Sequence, residues 1–129
     1  MATILLADDD EGIRAVYRAC LQTAGHHVIE AEDGRQALEI LREQRPELMI
    51  LDVWMPQLNG FEVLDALRHD PSSSRMKVLI LSNLGDADTR LEAFNGGAAE
   101  YMVKGVSLRD LMARVNTLLA DSLLTSEPS

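Results

Sequence analysis

The stretch ELMILDVWMPQLNG, residues 47–60, decides how this chain is read. It is apolar from Leu48 to Leu51, closes on an acid at Asp52, and turns through Met55-Pro56 toward Gly60. An acid at the end of an apolar run costs desolvation energy unless something stabilises it. The rest of the sequence has to supply that partner.

Four more short apolar runs lie at intervals on either side: TILLA (3–7), HVIEA (27–31), KVLILS (77–82) and EYMVK (100–104). Most are continuous rather than alternating, as in strands buried on both faces. Segments of helical period separate them. In the first, Ile13, Val16, Tyr17, Cys20, Leu21 and Ala24 share a face, with Asp10 as N-cap and Gly25 as stop. The second starts at Asp33, turns Ala37, Ile40 and Leu41 inward, and ends before Pro46. The third follows Gly60, with Phe61, Leu64 and Leu67 on one side. The fourth, 86–95, is mostly polar, with Leu91 and Phe94 as anchors and Gly96-Gly97 as stop. The last opens at Ser107, with Asp110 at capping-box spacing, and repeats Leu108, Leu111, Met112, Val115, Leu118 and Leu119.

Strand and helix thus alternate, which predicts an α/β fold with a parallel sheet covered by helices on both faces. The 129 residues suit one domain, expected over 1–120, with 121–129 (DSLLTSEPS) as a C-terminal tail or linker stub. A net charge of −9 argues against nucleic-acid binding through the surface as a whole. Cys20 is the only cysteine, so no internal disulfide forms. The start, MATILLADDD, turns acidic too soon for a signal peptide. No apolar run reaches the roughly 20 residues of a membrane span, and a cytoplasmic domain is expected.

Ligands of open parallel sheets bind beyond the carboxyl ends of the strands. The expected ends carry Asp8-Asp9-Asp10, Asp52, Ser82 and Lys104. Acids, a hydroxyl and an amine are therefore expected along one edge.

This constellation resembles the receiver domain of two-component response regulators, in the stand-alone, chemotaxis-regulator-like form. ILLADDDEGIR resembles that family's opening strand and acidic pair, and LDVWMPQLNG its phosphorylation loop. LILSN resembles its hydroxyl-bearing strand, and GGAAEYMVKG the segment ending in its switch aromatic and lysine. The resemblance runs from Thr3 to about Ala120. It implies a flavodoxin-like (βα)5 three-layer sandwich with sheet order 2-1-3-4-5. It also implies that Asp52 accepts a phosphoryl group. Asp9 would bind Mg2+ directly, Asp8 would support it through water or as a nearby ligand, and the Trp54 backbone carbonyl would complete the protein ligands. Ser82 would donate to a phosphoryl oxygen. Lys104 would pair with Asp52 before transfer and with the phosphoryl group afterwards.

The chemistry suits these residue types. A phosphohistidine on a histidine kinase or phosphotransfer protein is an activated donor, so the acceptor needs only an ionised nucleophile held in line. Clustered acids resist joint ionisation, and Mg2+, which prefers hard oxygen ligands and keeps several waters, relieves that repulsion. Phosphorylation adds about −1.5 to −2 charges. Ser82 is expected to move toward them and Tyr101 to fill the vacated space, biasing the face of helix four, strand five and helix five. The readout would be a downstream protein target or an output domain beyond this chain. Homodimerisation through the helix-four face is left open.

Some positions depart from the family's usual pattern. Asn83 stands where Ala or Gly is usual and is expected to slow phosphorylation. Gly105 replaces a proline, which makes a cis peptide after Lys104 costly and suggests a more loosely held lysine. Leu84 is apolar near the expected path of attacking water. Bland readings stand beside the sharp ones: Asp10 as a cap, Cys20 as core, Tyr101 as edge-strand packing, Trp54 as a shield at the site rim. His26, His27 and His69 read as surface or packing residues, and Arg90, Arg109 and Arg114 as solvated helix faces. Two other functions compete. One is a Mg2+-dependent phosphohydrolase using Asp52 as nucleophile, opposed by Trp54 where such enzymes carry an acid. The other is a receiver-like interaction module that is never phosphorylated.

Overall fold

A computed structural model describes residues 2–73, 76–83, 85 and 87–126. The elements, in order, are β1 (Thr3–Ala7), α1 (Glu11–Thr23), β2 (His27–Ala31), α2 (Gly34–Glu43), β3 (Leu48–Asp52), α3 (Gly60–His69), β4 (Lys77–Ser82), α4 (Ala87–Asn95), β5 (Glu100–Val103) and α5 (Leu108–Ser126). All strand pairs are parallel and the sheet order is β2-β1-β3-β4-β5, the flavodoxin-like order expected.

Side chains of a strand alternate between faces, and the continuous apolar runs feed two cores. Leu5, Ala7, Met49, Leu51, Val78 and Ile80 pack beneath α2, α3 and α4, with Ala37, Leu41, Val63, Leu64, Leu67 and Ala93. Ile4, Leu6, Leu48, Ile50, Leu79 and Leu81 pack against α1 and α5, with Tyr17, Leu21, Leu111, Val115 and Leu118. Helix ends follow the expected punctuation at α1, α2 and α5, and Asn59 adds a cap that was not read from the sequence. Asp10, Asp33 and Asn59 cap α1, α2 and α3 through their side chains, and Asn59 with Glu62 forms a full capping box. The Ser107 hydroxyl accepts from the Asp110 amide at 3.1 Å. At the far end of α1, the Gly25 amide (φ +94) donates to Gln22 and His26 to Leu21, which satisfies the last carbonyls.

Some expectations are corrected. Leu91 and Phe94 do not anchor α4: they are 59% and 40% exposed, and Ala93 is the helix's buried residue. A small side chain lets the helix end lie close, and a Cβ on Gly96 would stand 2.9 Å from Leu64 Cδ2. Val16 and Leu108 face outward, and Cys20 is only half-buried, because Arg14, Tyr17 and Leu21 hold the inner face of α1. The last helix continues past Ala120 to Ser126. Leu84, and residue 86 at the expected start of helix four, lie outside the described residues.

Candidate functional site

The strand ends meet as the topology requires. Asp8 and Asp9 follow β1, Asp52 ends β3, Ser82 ends β4, and Lys104 follows β5. Asp52 and Ser82 are buried, at 3% and 0% exposure, and Asp8 is buried at 2%. Asp9 is exposed. Lys104 Nζ lies 2.8 Å from Asp8 Oδ2 and 3.2 Å from Asp52 Oδ1. The Lys104 amide donates to the Ser82 carbonyl at 2.7 Å. The loosely held lysine is thereby corrected: its side chain is 7% exposed and clasped between two carboxylates. The peptide after it is trans, and Gly105 takes φ +96, a left-handed conformation suited to glycine.

Every polar group of Asp8 has a protein partner. Its amide donates to the Ala31 carbonyl, Oδ1 accepts from the Asp10 amide at 2.9 Å, Oδ2 meets Lys104, and its carbonyl accepts from Arg14. Asp52 differs. Lys104 Nζ forms an ion pair with its Oδ1 at 3.2 Å, yet that buried oxygen satisfies no hydrogen bond among the described residues. Burial pushes the Asp52 carboxyl up to about 6, with Asp8 adding to the rise and Lys104 opposing it. Burial alone would lower the Lys104 ammonium, but its two carboxylate partners outweigh that and hold it above its ordinary value.

Asp8, Asp9 and Asp52 each offer a carboxylate oxygen, all within 4.8 Å of one another. The donor set is hard oxygen, and its buried Asp52 Oδ1 satisfies no hydrogen bond among the described residues, so these residues fit a divalent cation. The Trp54 carbonyl accepts no backbone hydrogen bond among the described residues. The Trp54 side chain is 55% exposed and lines a groove of about 710 Å³ with Leu58, Phe61 and Thr89.

The loop after Asp52 is built tightly. The Leu58 amide donates to the Pro56 carbonyl across Gln57, whose φ of 72° marks a γ-turn. The Gly60 amide donates to the Val53 carbonyl at 2.7 Å. A Cβ on Gly60 would stand 2.4 Å from the Asp52 carbonyl oxygen, and one on Gly34 would stand 2.1 Å from the Leu58 carbonyl oxygen. Both positions require glycine because backbone meets backbone there.

Two residues near the site escaped the sequence reading. Arg14 lies on the otherwise apolar inner face of α1 and touches Asp8. Tyr17, expected only as core, sits near Lys104 and Asp8; burial raises its hydroxyl, and Lys104 opposes the rise. The one sequence signal for Arg14 is its spacing, one helical turn past the Asp10 cap. Tyr101 is already buried at 2% exposure, and the Arg90 guanidinium lies 5.1 Å from its ring centroid, so Arg90 is more than a solvated charge. Arg114, similarly, pairs with Glu100 at 3.3 Å. Asn83 is exposed.

Comparison with known proteins gives a consistent result. Residues 4–116 match the family described as response regulator receiver domain. The probable transcriptional regulator ycf27 of Cyanophora paradoxa is 38% identical over 90% of this chain and 47% of its own length. The DNA-binding dual master transcriptional regulator RpaA of Synechocystis is 34% identical over 92% of this chain and 49% of its own. The chemotaxis response regulator CheY4 of Vibrio cholerae superposes with a TM-score of 0.86 at 31% identity, covering 92% of this chain and 98% of that one. The chain spans about half the length of the curated relatives it matches. It belongs to the response regulator receiver domain family, and the phosphohydrolase and non-phosphorylated alternatives are not favoured. No helix among the described residues is long and apolar enough to cross a membrane.

Proposed function

We propose that this receiver domain takes a phosphoryl group on Asp52 from a phosphohistidine of a histidine kinase or phosphotransfer protein. The observation that carries the reading is the Asp52 carboxylate, buried beside Lys104 and within metal-ligand range of Asp8 and Asp9. An Asp52 oxygen bonds to phosphorus as the donor's phosphorus–nitrogen bond breaks and the imidazole leaves. Lys104 balances the negative charge on the transferred group. Asp9 and Asp52, with Asp8 in support and the Trp54 carbonyl, would hold Mg2+, which supplies charge neutralisation between the acids and the donor's oxygens. Ser82 donates its hydroxyl to a phosphoryl oxygen. The chain catalyses its own phosphorylation and dephosphorylation and turns over no external substrate.

Output is proposed through α4, β5 and α5, where Tyr101 under Arg90 reports the state of Ser82. The reader is a separate protein or an output domain outside residues 1–120, and the setting is the cytoplasm. Incubation with Mg2+ and a small phosphodonor, followed by intact mass, tests the reading. One phosphoryl group is expected on the wild-type chain and none on Asp52→Asn. Equal labelling of both would remove Asp52 as acceptor.

A further inference from the structure

We propose that Arg14 is a positioning residue whose buried guanidinium fixes the β1 end that carries Asp8 and Asp9, and so sets the affinity of the corner for a divalent cation. This rests on the reading of Asp8, Asp9 and Asp52 as a metal site.

Arg14 Nη1 donates to the Asp8 carbonyl at 2.6 Å. That oxygen belongs to the peptide unit joining Asp8 to Asp9. A peptide unit is planar, so holding its oxygen restrains the Asp8 ψ and the placement of the Asp9 Cα. The Asp10 amide on Asp8 Oδ1 at 2.9 Å ties the next peptide unit to the Asp8 side chain. Together they restrain where both carboxylates stand. Strand pairing cannot do this, because the β1–β2 register ends at Ala7 opposite Ala31. The contacts form a closed ring over residues 8–14. Asp8 Oδ1 accepts from the Asp10 amide, the Asp10 carbonyl accepts the Arg14 amide at 2.9 Å, and the Arg14 side chain returns to the Asp8 carbonyl.

The guanidinium is itself held. Arg14 Nε lies 3.3 Å from Glu30 Oε1, and Nη2 lies 3.9 Å from Glu32. Arg18 grips the other Glu30 oxygen at 2.8 Å, and Glu30 is held below its ordinary value chiefly by that bond, with Arg14 adding to it. A planar fork that spans a carbonyl and a carboxylate is a task for arginine, which lysine cannot reproduce with one point charge. Partners of this kind behind metal ligands typically change affinity by about 10–100-fold when removed.

The sign of the effect separates positioning from charge. Arg14 is a cation beside a proposed dication site, so by charge alone its removal would tighten metal binding. Mg2+ titrations of the full chain, followed by Trp54 fluorescence and by calorimetry, decide the matter. Arg14→Met is expected to weaken binding by about tenfold or more. Arg14→Lys keeps the charge and loses the fork, and is expected to weaken it by about threefold or more. Wild-type or tighter Mg2+ affinity in either folded variant overturns the proposal. If Arg14→Met fails to fold, as its melting curve would show, Arg14→Lys decides alone. A wild-type chain that binds no Mg2+ would bring down the metal reading and this inference together, an outcome distinct from failure in the variants only.

Discussion

Helices α3 and α4 have nearly the same length, ten and nine residues, and both cover the same face of the sheet. α3 starts in a complete capping box and buries Val63, Leu64 and Leu67. Its first residue, Gly60, is pressed against the backbone that carries Asp52. α4 buries Ala93 alone and leaves Leu91 and Phe94 to solvent. The difference separates two jobs. The helix joined to the proposed phosphoryl acceptor is held by large buried contacts, and its first residue packs on the backbone of Asp52. The helix on the proposed output face buries one small side chain, with Arg90 over the Tyr101 ring beside it, and is expected to respond more readily to a change in local charge.

The largest effect is expected at the join between α3 and Asp52. Gly60→Ala places a Cβ 2.4 Å from a backbone oxygen. It should lower unfolding free energy by about 3 kcal/mol or more in urea titrations. Near-wild-type stability would mean that this join is loose. Next in size, Leu64→Ala on α3 should cost about 2–4 kcal/mol by the same measurement, because Leu64 is 1% exposed.

Asp52→Asn should act in the opposite direction. The folded carboxyl titrates near 6, above its ordinary 3.8. A raised acid leaves the fold most stable below the unfolded value and takes stability away as pH rises through the folded one. The variant should therefore be more stable than the metal-free wild type at pH 7, by on the order of 2 kcal/mol. The gap should close below about pH 4, and Mg2+ should narrow it at pH 7. Thermal melts over a pH series, with and without Mg2+, read all of these. The smallest effect is expected at Leu91→Ala on α4, within about 0.5 kcal/mol of wild type. A loss there as large as that at Leu64 would erase the contrast between the two helices.

The strands were legible because burial on both faces leaves continuous apolar runs. Each starts or ends within one residue of its expected bound, and Asp52 and Ser82 end theirs as read. The caps Asp10, Asp33 and Asn59 are local devices: the first two were read from their own sequence, and the third was not. Helix four misled because periodicity ranks side chains by size and hydropathy. It therefore favours Leu91 and Phe94, while the packed structure selects Ala93 for close approach. Arg14 was missed for the reverse reason. An arginine on an apolar face reads as misplaced until Glu30, on a strand sixteen residues away, neutralises it.

What the sequence by itself determined is the alternation of strands and helices, and hence which residues stand at the carboxyl ends of the strands. Those follow from local pattern and from the chirality of parallel connections. Only the tertiary structure decided how the assembled charges share their partners. Lys104 lies 2.8 Å from Asp8 and 3.2 Å from Asp52, the Asp52 Oδ1 satisfies no hydrogen bond among the described residues, and Arg14 takes the Asp8 carbonyl. Desolvation and hydrogen-bond direction depend on atoms brought together from distant parts of the chain, and no single stretch of sequence contains them.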